Sequence, residues 1–142
     1  MANVTLDQAN TICRVGFEYG KEKKLAGLTF VVLDAGGHVV SAQRADNSGI
    51  LRYEIAFGKA WGALGMGRSS RVIEGMAKDR PHFVGAAVTA SGGRMVPVAG
   101  GVLIKDAAGM IVGAVGASGD TSDNDEAAAV AGIQAAGLAA QV

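Results

Sequence analysis

The sequence predicts an α+β fold: a central antiparallel sheet built from two β-hairpins and flanked by helices. Three observations carry this expectation. The phrase "VLDAGGHVVSAQR" (32–44) is nearly repeated as "IKDAAGMIVGA" (104–114), with β-formers on both sides of an Asp/Gly turn. Helical spacing of apolar and small residues precedes the first copy, separates the two and follows the second. Paired hairpins between helices have no crossover to make a parallel sheet. The expected order is α-β-β-α-α-(α)-β-β-α within a single domain spanning 1–142.

Thr5-Leu6-Asp7-Gln8 has the pattern of a capping box, with Thr5 at the N-cap and Gln8 reaching back. Leu6, Ala9, Cys13, Gly16, Phe17 and Gly20 then recur at helical spacing up to the charged "KEKK" before Gly27. "LTFVVLD" is β-branched and apolar on both faces, as a central strand must be. "HVVSAQR" returns as its hairpin partner. Ser48 is a candidate cap for a second helix through "ILRYEIAFGKAWGAL", which "GMGRSS" breaks. Ser70 opens a short third helix that must stop before Pro81. "HFVGAAVTA" fits a short helix or a strand. "SGGRMVPVAGG" reads as a loop, and "GVLIKD" with "MIVGAVGAS" as the second hairpin. A last helix, "EAAAVAGIQAAGLAAQ", is capped by Ser122 or Asp123, its acidic first turn suiting the helix dipole.

Composition narrows the partners. Thirteen basic and thirteen acidic residues leave no net charge, so the footprint of a nucleic-acid binder is missing. No basic amphipathic stretch or run of about 20 apolar residues argues for a membrane. A lone cysteine and an N-terminus without a signal pattern make the cytoplasm the expected location. Glycine, at 22 of 142 residues, is about twice its usual share, while aromatics are 5%. Elements this poor in bulk must approach closely or bury their apolar surface on another chain, which suggests a homo-oligomer.

The glycines of "DAGG" do not form a phosphate loop. Such a loop lies between a strand and a helix, whereas Gly36-Gly37 and Gly109 are each followed by a β-branched run. "GMGRSS" follows a helix, so it is no dinucleotide fingerprint. Asp34 and Asp106 are turn-formers first. With only His38 and His82 in the chain, no zinc cluster is spaced along it. A cationic constellation remains: Arg44 at a strand end, Lys59 in an otherwise apolar helix and Arg94 in the long loop. If these converge on Gly100-Gly101 they would suit a carboxylate or an enolate; the alternative is three separate solvated charges.

"VVLDAGGHVVSAQRAD", "AFGKAWGALGMGRSS" and "RMVPVAGGVLIKDAAGMIVGAVGASGDTSDNDEAAAVAGI" together resemble the GlcG/HbpS family, to which the C-terminal domain of PduO also belongs. The resemblance runs over essentially the whole chain. It implies a GlcG/HbpS-like α+β domain, assembly into higher oligomers, and haem as the best-named candidate ligand. It raises Arg44 and Lys59, which lie in matching segments, and Glu126, which matches the family's Asp-Glu pair. Haem-binding relatives can use a histidine of the first helix; here that helix offers only Cys13 and Tyr19. Candidate axial donors are therefore His82 and Cys13.

The leading expectation is a small-ligand-binding protein using Arg44, Lys59, His82, Arg94, Gly100, Gly101 and Glu126. The alternatives are an enzyme of catabolism transferring a proton on a small carbonyl or carboxylate metabolite through Lys59 or His82, and a structural accessory subunit.

Overall fold

A computed structural model describes residues 2–142. Helix α1 (Leu6–Glu22) begins at the expected capping box: Gln8 N–H donates to Thr5 Oγ1 at 3.1 Å, and Thr5 N–H to Gln8 Oε1 at 2.9 Å. Strands β1 (Thr29–Asp34) and β2 (Val39–Arg44) form the first hairpin. Helices α2 (Arg52–Met66), α3 (Ser70–Asp79) and α4 (Pro81–Ala90) follow, then β3 (Gly101–Lys105) and β4 (Ile111–Ser118), helix α5 (Ser122–Ala135) and a short strand β5 (Ala139–Gln141).

All pairings are antiparallel, in the order β2-β1-β4-β3-β5. The doubly apolar β1 is interior, as its composition requires. Phe30 and Val32 face α1 and α5, while Val31 and Leu33 face α2. Thr29 pairs with Ser118 and Asp34 with Gly113, so both hairpin turns lie at one end of the sheet. The two turns are built alike. Asp34 Oδ1 accepts from the N–H of Gly36 and His38 at 2.9 and 3.0 Å; Asp106 Oδ1 accepts from Ala108 and Met110 at 3.0 and 2.9 Å. Gly37 and Gly109 take φ of +84° and +80°, which glycine tolerates best.

The glycine content has a packing cause. A Cβ on Gly116 would strike the Ala56 carbonyl, and one on Gly101 the Lys59 carbonyl. At Gly132 it would meet the Ile12 carbonyl, and at Gly16 it would lie 2.5 Å from the Phe30 ring. At Gly116, Gly101 and Gly132 a helix therefore rests directly on strand or helix backbone, and at Gly16 it makes room for the Phe30 ring.

One open reading is decided and three local expectations change. Pro81 at the start of "HFVGAAVTA" makes that segment helix α4. Helix α5 stops at Ala135, Gly137 turns the chain at φ +78°, and the remaining residues add a strand to the open edge of β3. Ser48 does not cap α2; its hydroxyl sits 2.8 Å from that of Thr29. The caps of α3 and α5 are Ser69 and Thr121, each one or two residues before those expected.

Candidate functional site

At the end of the sheet opposite the hairpin turns, α2 drives one charged side chain into the core. Lys59 is 2% exposed. Its Nζ donates to the Ala117 carbonyl at 2.9 Å and to Asp125 Oδ2 at 3.2 Å. Asp125, in the first turn of α5, is 1% exposed and also accepts from the Asp120 N–H at 2.9 Å. Burial is the largest influence on both groups: it lowers the Lys59 pKa and raises that of Asp125, while their mutual attraction opposes it. Arg52 donates to Ser118 Oγ at 3.1 Å beside them.

The loop 97–101 closes over this pair. A Cβ on Gly100 would fall 2.8 Å from Lys59 Nζ, and Gly100 has φ of +124°. Two residues of α3 fasten the loop. The Ser70 hydroxyl accepts from Gly101 N–H at 2.6 Å, and Glu74 Oε1 accepts from Ala99 N–H at 3.3 Å. The arrangement therefore ties α2, β4, α5 and the loop into one charged knot. The Ala117 carbonyl and the Gly100 backbone stand against Nζ.

The structure brings together Lys59, Gly100 and Gly101 from the expected set and sends the others elsewhere. Glu126 accepts from Arg71 Nε through both oxygens, at 3.0 and 2.9 Å, and Arg71 also pairs with Asp123. This joins α3 to α5 and accounts for Glu126 without a ligand. Arg94 lies over the Trp61 ring, 4.5 Å from its centroid, on the outer side of α2. His82 is exposed on the first turn of α4. Arg44 is exposed at the end of β2. The three cations do not converge: their residues lie on opposite sides of α2 and at a sheet edge. The N–H groups at the start of α5 are met by the chain's own side chains: Asp120 accepts from Thr121 N–H and Asn124 Nδ2.

Arg44 instead borders a cleft of about 560 Å³ between the end of α1 and the ends of β1 and β2. Phe17, Leu25 and Leu28 supply apolar wall, Lys21 and Arg44 supply positive charge, and Asp46 adds one negative charge at the rim. A second hollow of about 550 Å³ shares Phe17, Lys21 and Gln43 and continues along α1 past Arg14. Among the described residues, no His, Cys, Met or Tyr lines either one. Cys13 points the other way, into the core, with Sγ 3.9 Å from Ser41 Oγ. Burial pushes its thiol up to about 11, away from the thiolate that ligates metal. Lys21 is the cleft residue that sequence reasoning missed. It stood in a charged run that reads as a solvated helix end, and only the fold brings it to the cleft that Arg44 also borders.

The family model described as haem-degrading protein HbpS-like matches residues 4–134. No curated protein matches the chain. Among solved structures, the Klebsiella pneumoniae protein ORFY is similar over 96% of this chain and 92% of its own, at 23% identity and a TM-score of 0.87. A PduOC:heme complex is similar over 99% of both chains, at 19% identity and a TM-score of 0.87. A Streptomyces reticuli HbpS double mutant covers 94% of this chain and 87% of its own, at 22% identity and a TM-score of 0.80. Identities this low establish the shared fold.

Proposed function

The chain belongs to the HbpS-like family, and on that premise we propose that it is a homo-oligomeric protein that binds a planar, carboxylated small ligand of the haem type. The observation that carries the reading is the cleft, where Lys21 and Arg44 stand beside Phe17, Leu25 and Leu28. Its volume is within the usual 300–1,000 Å³ of small-molecule sites. The apolar side chains suit a flat ring system, and the two cations suit carboxylates at its edge. A relative of the same fold complexed with heme adds support.

The residues fit the rings and carboxylates of haem, but among the described ones no His, Cys, Met or Tyr stands in the cleft to ligate its iron. Binding by this cleft therefore rests on packing and charge, and a metal-free porphyrin should bind about as well as haemin. Titrating each into the full-length protein, followed in the Soret band, tests this. Saturable binding is expected, weakened about tenfold by Arg44→Glu or Lys21→Glu, the equivalent of about 1.4 kcal/mol. His82→Ala and Cys13→Ala should leave it unchanged. Unsaturating absorbance, or binding indifferent to both charge reversals, would overturn the cleft assignment.

A further inference from the structure

The wall of the cleft between α1 and β1 is held from behind by the start of α5. Residues 25–28 join α1 to β1 and line the cleft. Ala26 N–H donates to Asp120 Oδ2 at 2.9 Å, a partner 94 residues away. Gly119 lies against the same segment. A Cβ there would fall 2.3 Å from the Gly27 carbonyl oxygen and 2.9 Å from Leu28 Cα. Backbone thus rests on backbone, an approach that a side chain would prevent.

Asp120 is itself fixed in place. Its N–H donates to Asp125 Oδ1 at 2.9 Å, and the other oxygen of Asp125 accepts from Lys59 Nζ at 3.2 Å. Oδ1 of Asp120 accepts from Thr121 N–H at 2.8 Å and from Asn124 Nδ2 at 2.7 Å, while Oδ2 serves Ala26. A short carboxylate bonded at both oxygens is held to one orientation.

The 25–28 segment in turn supports the other wall. A Cβ on Gly27 would lie 2.8 Å from the Asp46 carbonyl oxygen, and Ala45 N–H donates to the Leu28 carbonyl at 2.9 Å. Ala45 and Asp46 follow Arg44 directly and border the cleft with it. The position of Ala26 therefore sets how Leu25 and Leu28 stand relative to Arg44.

We propose that Asp120 is a positioning residue for the ligand cleft: without lining the cleft, it holds residues 25–28 at the separation from Arg44 that a flat, carboxylated molecule needs. This rests on the cleft reading above. It also gives the buried Lys59–Asp125 pair a task at the cleft, since that pair anchors the Asp120 backbone.

The test titrates a metal-free dicarboxylate porphyrin into the full-length protein, beside amide hydrogen exchange at Ala26 and urea unfolding. Asp120→Ala should weaken binding about tenfold, the scale of one charge-assisted hydrogen bond, and speed exchange at Ala26. Asp120→Asn keeps an oxygen for Ala26 and should recover most of the affinity, although its lost charge lowers stability at neutral pH. Thr121→Ala removes the α5 cap, where Thr121 Oγ1 accepts from Asn124 N–H at 3.2 Å, and should lower stability with affinity unchanged. Affinity that merely tracks stability across the three variants would overturn the positioning role. So would Asp120→Ala binding as wild type does, or unchanged exchange at Ala26. A wild type that binds no porphyrin would overturn the cleft reading and this role with it.

Discussion

Replacing Lys59 by Met tests whether the buried knot is structural. The substitution keeps a long, flexible side chain and removes two hydrogen bonds, to the Ala117 carbonyl at 2.9 Å and to Asp125 at 3.2 Å. Asp125 then keeps the Asp120 N–H alone, at 1% exposure. Stranding a buried charge in this way costs about 3–5 kcal/mol, roughly a fifth or more of the 5–15 kcal/mol that holds a typical domain. Asp125→Asn strands the ammonium and should cost a comparable amount. The double variant removes both charges while Asn still accepts from Asp120. Its cost should fall short of the summed single costs by about 2–3 kcal/mol. Urea unfolding, with unchanged slope, reads all three values. A loss below about 1 kcal/mol for Lys59→Met, or strict additivity, would refute the coupling and reopen Lys59 as a group held for chemistry.

Two further outcomes follow from the geometry. Gly116→Ala should destabilise by about 1–3 kcal/mol in thermal or chemical unfolding, since its methyl group meets the Ala56 carbonyl. Gly75→Ala, in α3 with open space around it, should stabilise by about 0.5–1 kcal/mol. In acid, Asp120 is held below the ordinary carboxylate range by the Asn124 amide first, then by the N–H groups of Ala26 and Thr121. A depressed folded-state pKa stabilises the fold above the unfolded value and stops doing so as pH falls through the folded one. Asp120→Asn should therefore be less stable than wild type at neutral pH. The gap should close progressively below about pH 4. A gap independent of pH would show that the carboxylate's charge contributes nothing.

Much of the fold was legible because local signals and tertiary demand agree. Thr5 and Gln8 announce a helix start, "LTFVVLD" can only be buried on both faces, and the two Asp/Gly phrases fold as matching turns. The misreadings share a cause. "EAAAVAGIQAAGLAAQ" is good helix sequence to its end, and Ala139–Gln141 becomes strand because β3 has an open edge to fill. Asp125 looked like a capping acid because its spacing fits one, yet its partner is Lys59, 66 residues away. The cleft was invisible for the same reason: Lys21 and Arg44 line it from α1 and β2, a neighbourhood that no linear pattern encodes.

Placing both hairpin turns at one end of the sheet gives the molecule a polarity of practical use. The residues 107–109 are exposed, lie outside any strand and sit at the far end from Lys59, Asp125 and the cleft that Arg44 borders. A fluorophore or an immobilising tag grafted there would leave that end facing solution. The protein can thus be tethered to a surface by its hairpin-turn end and offered candidate ligands at the other.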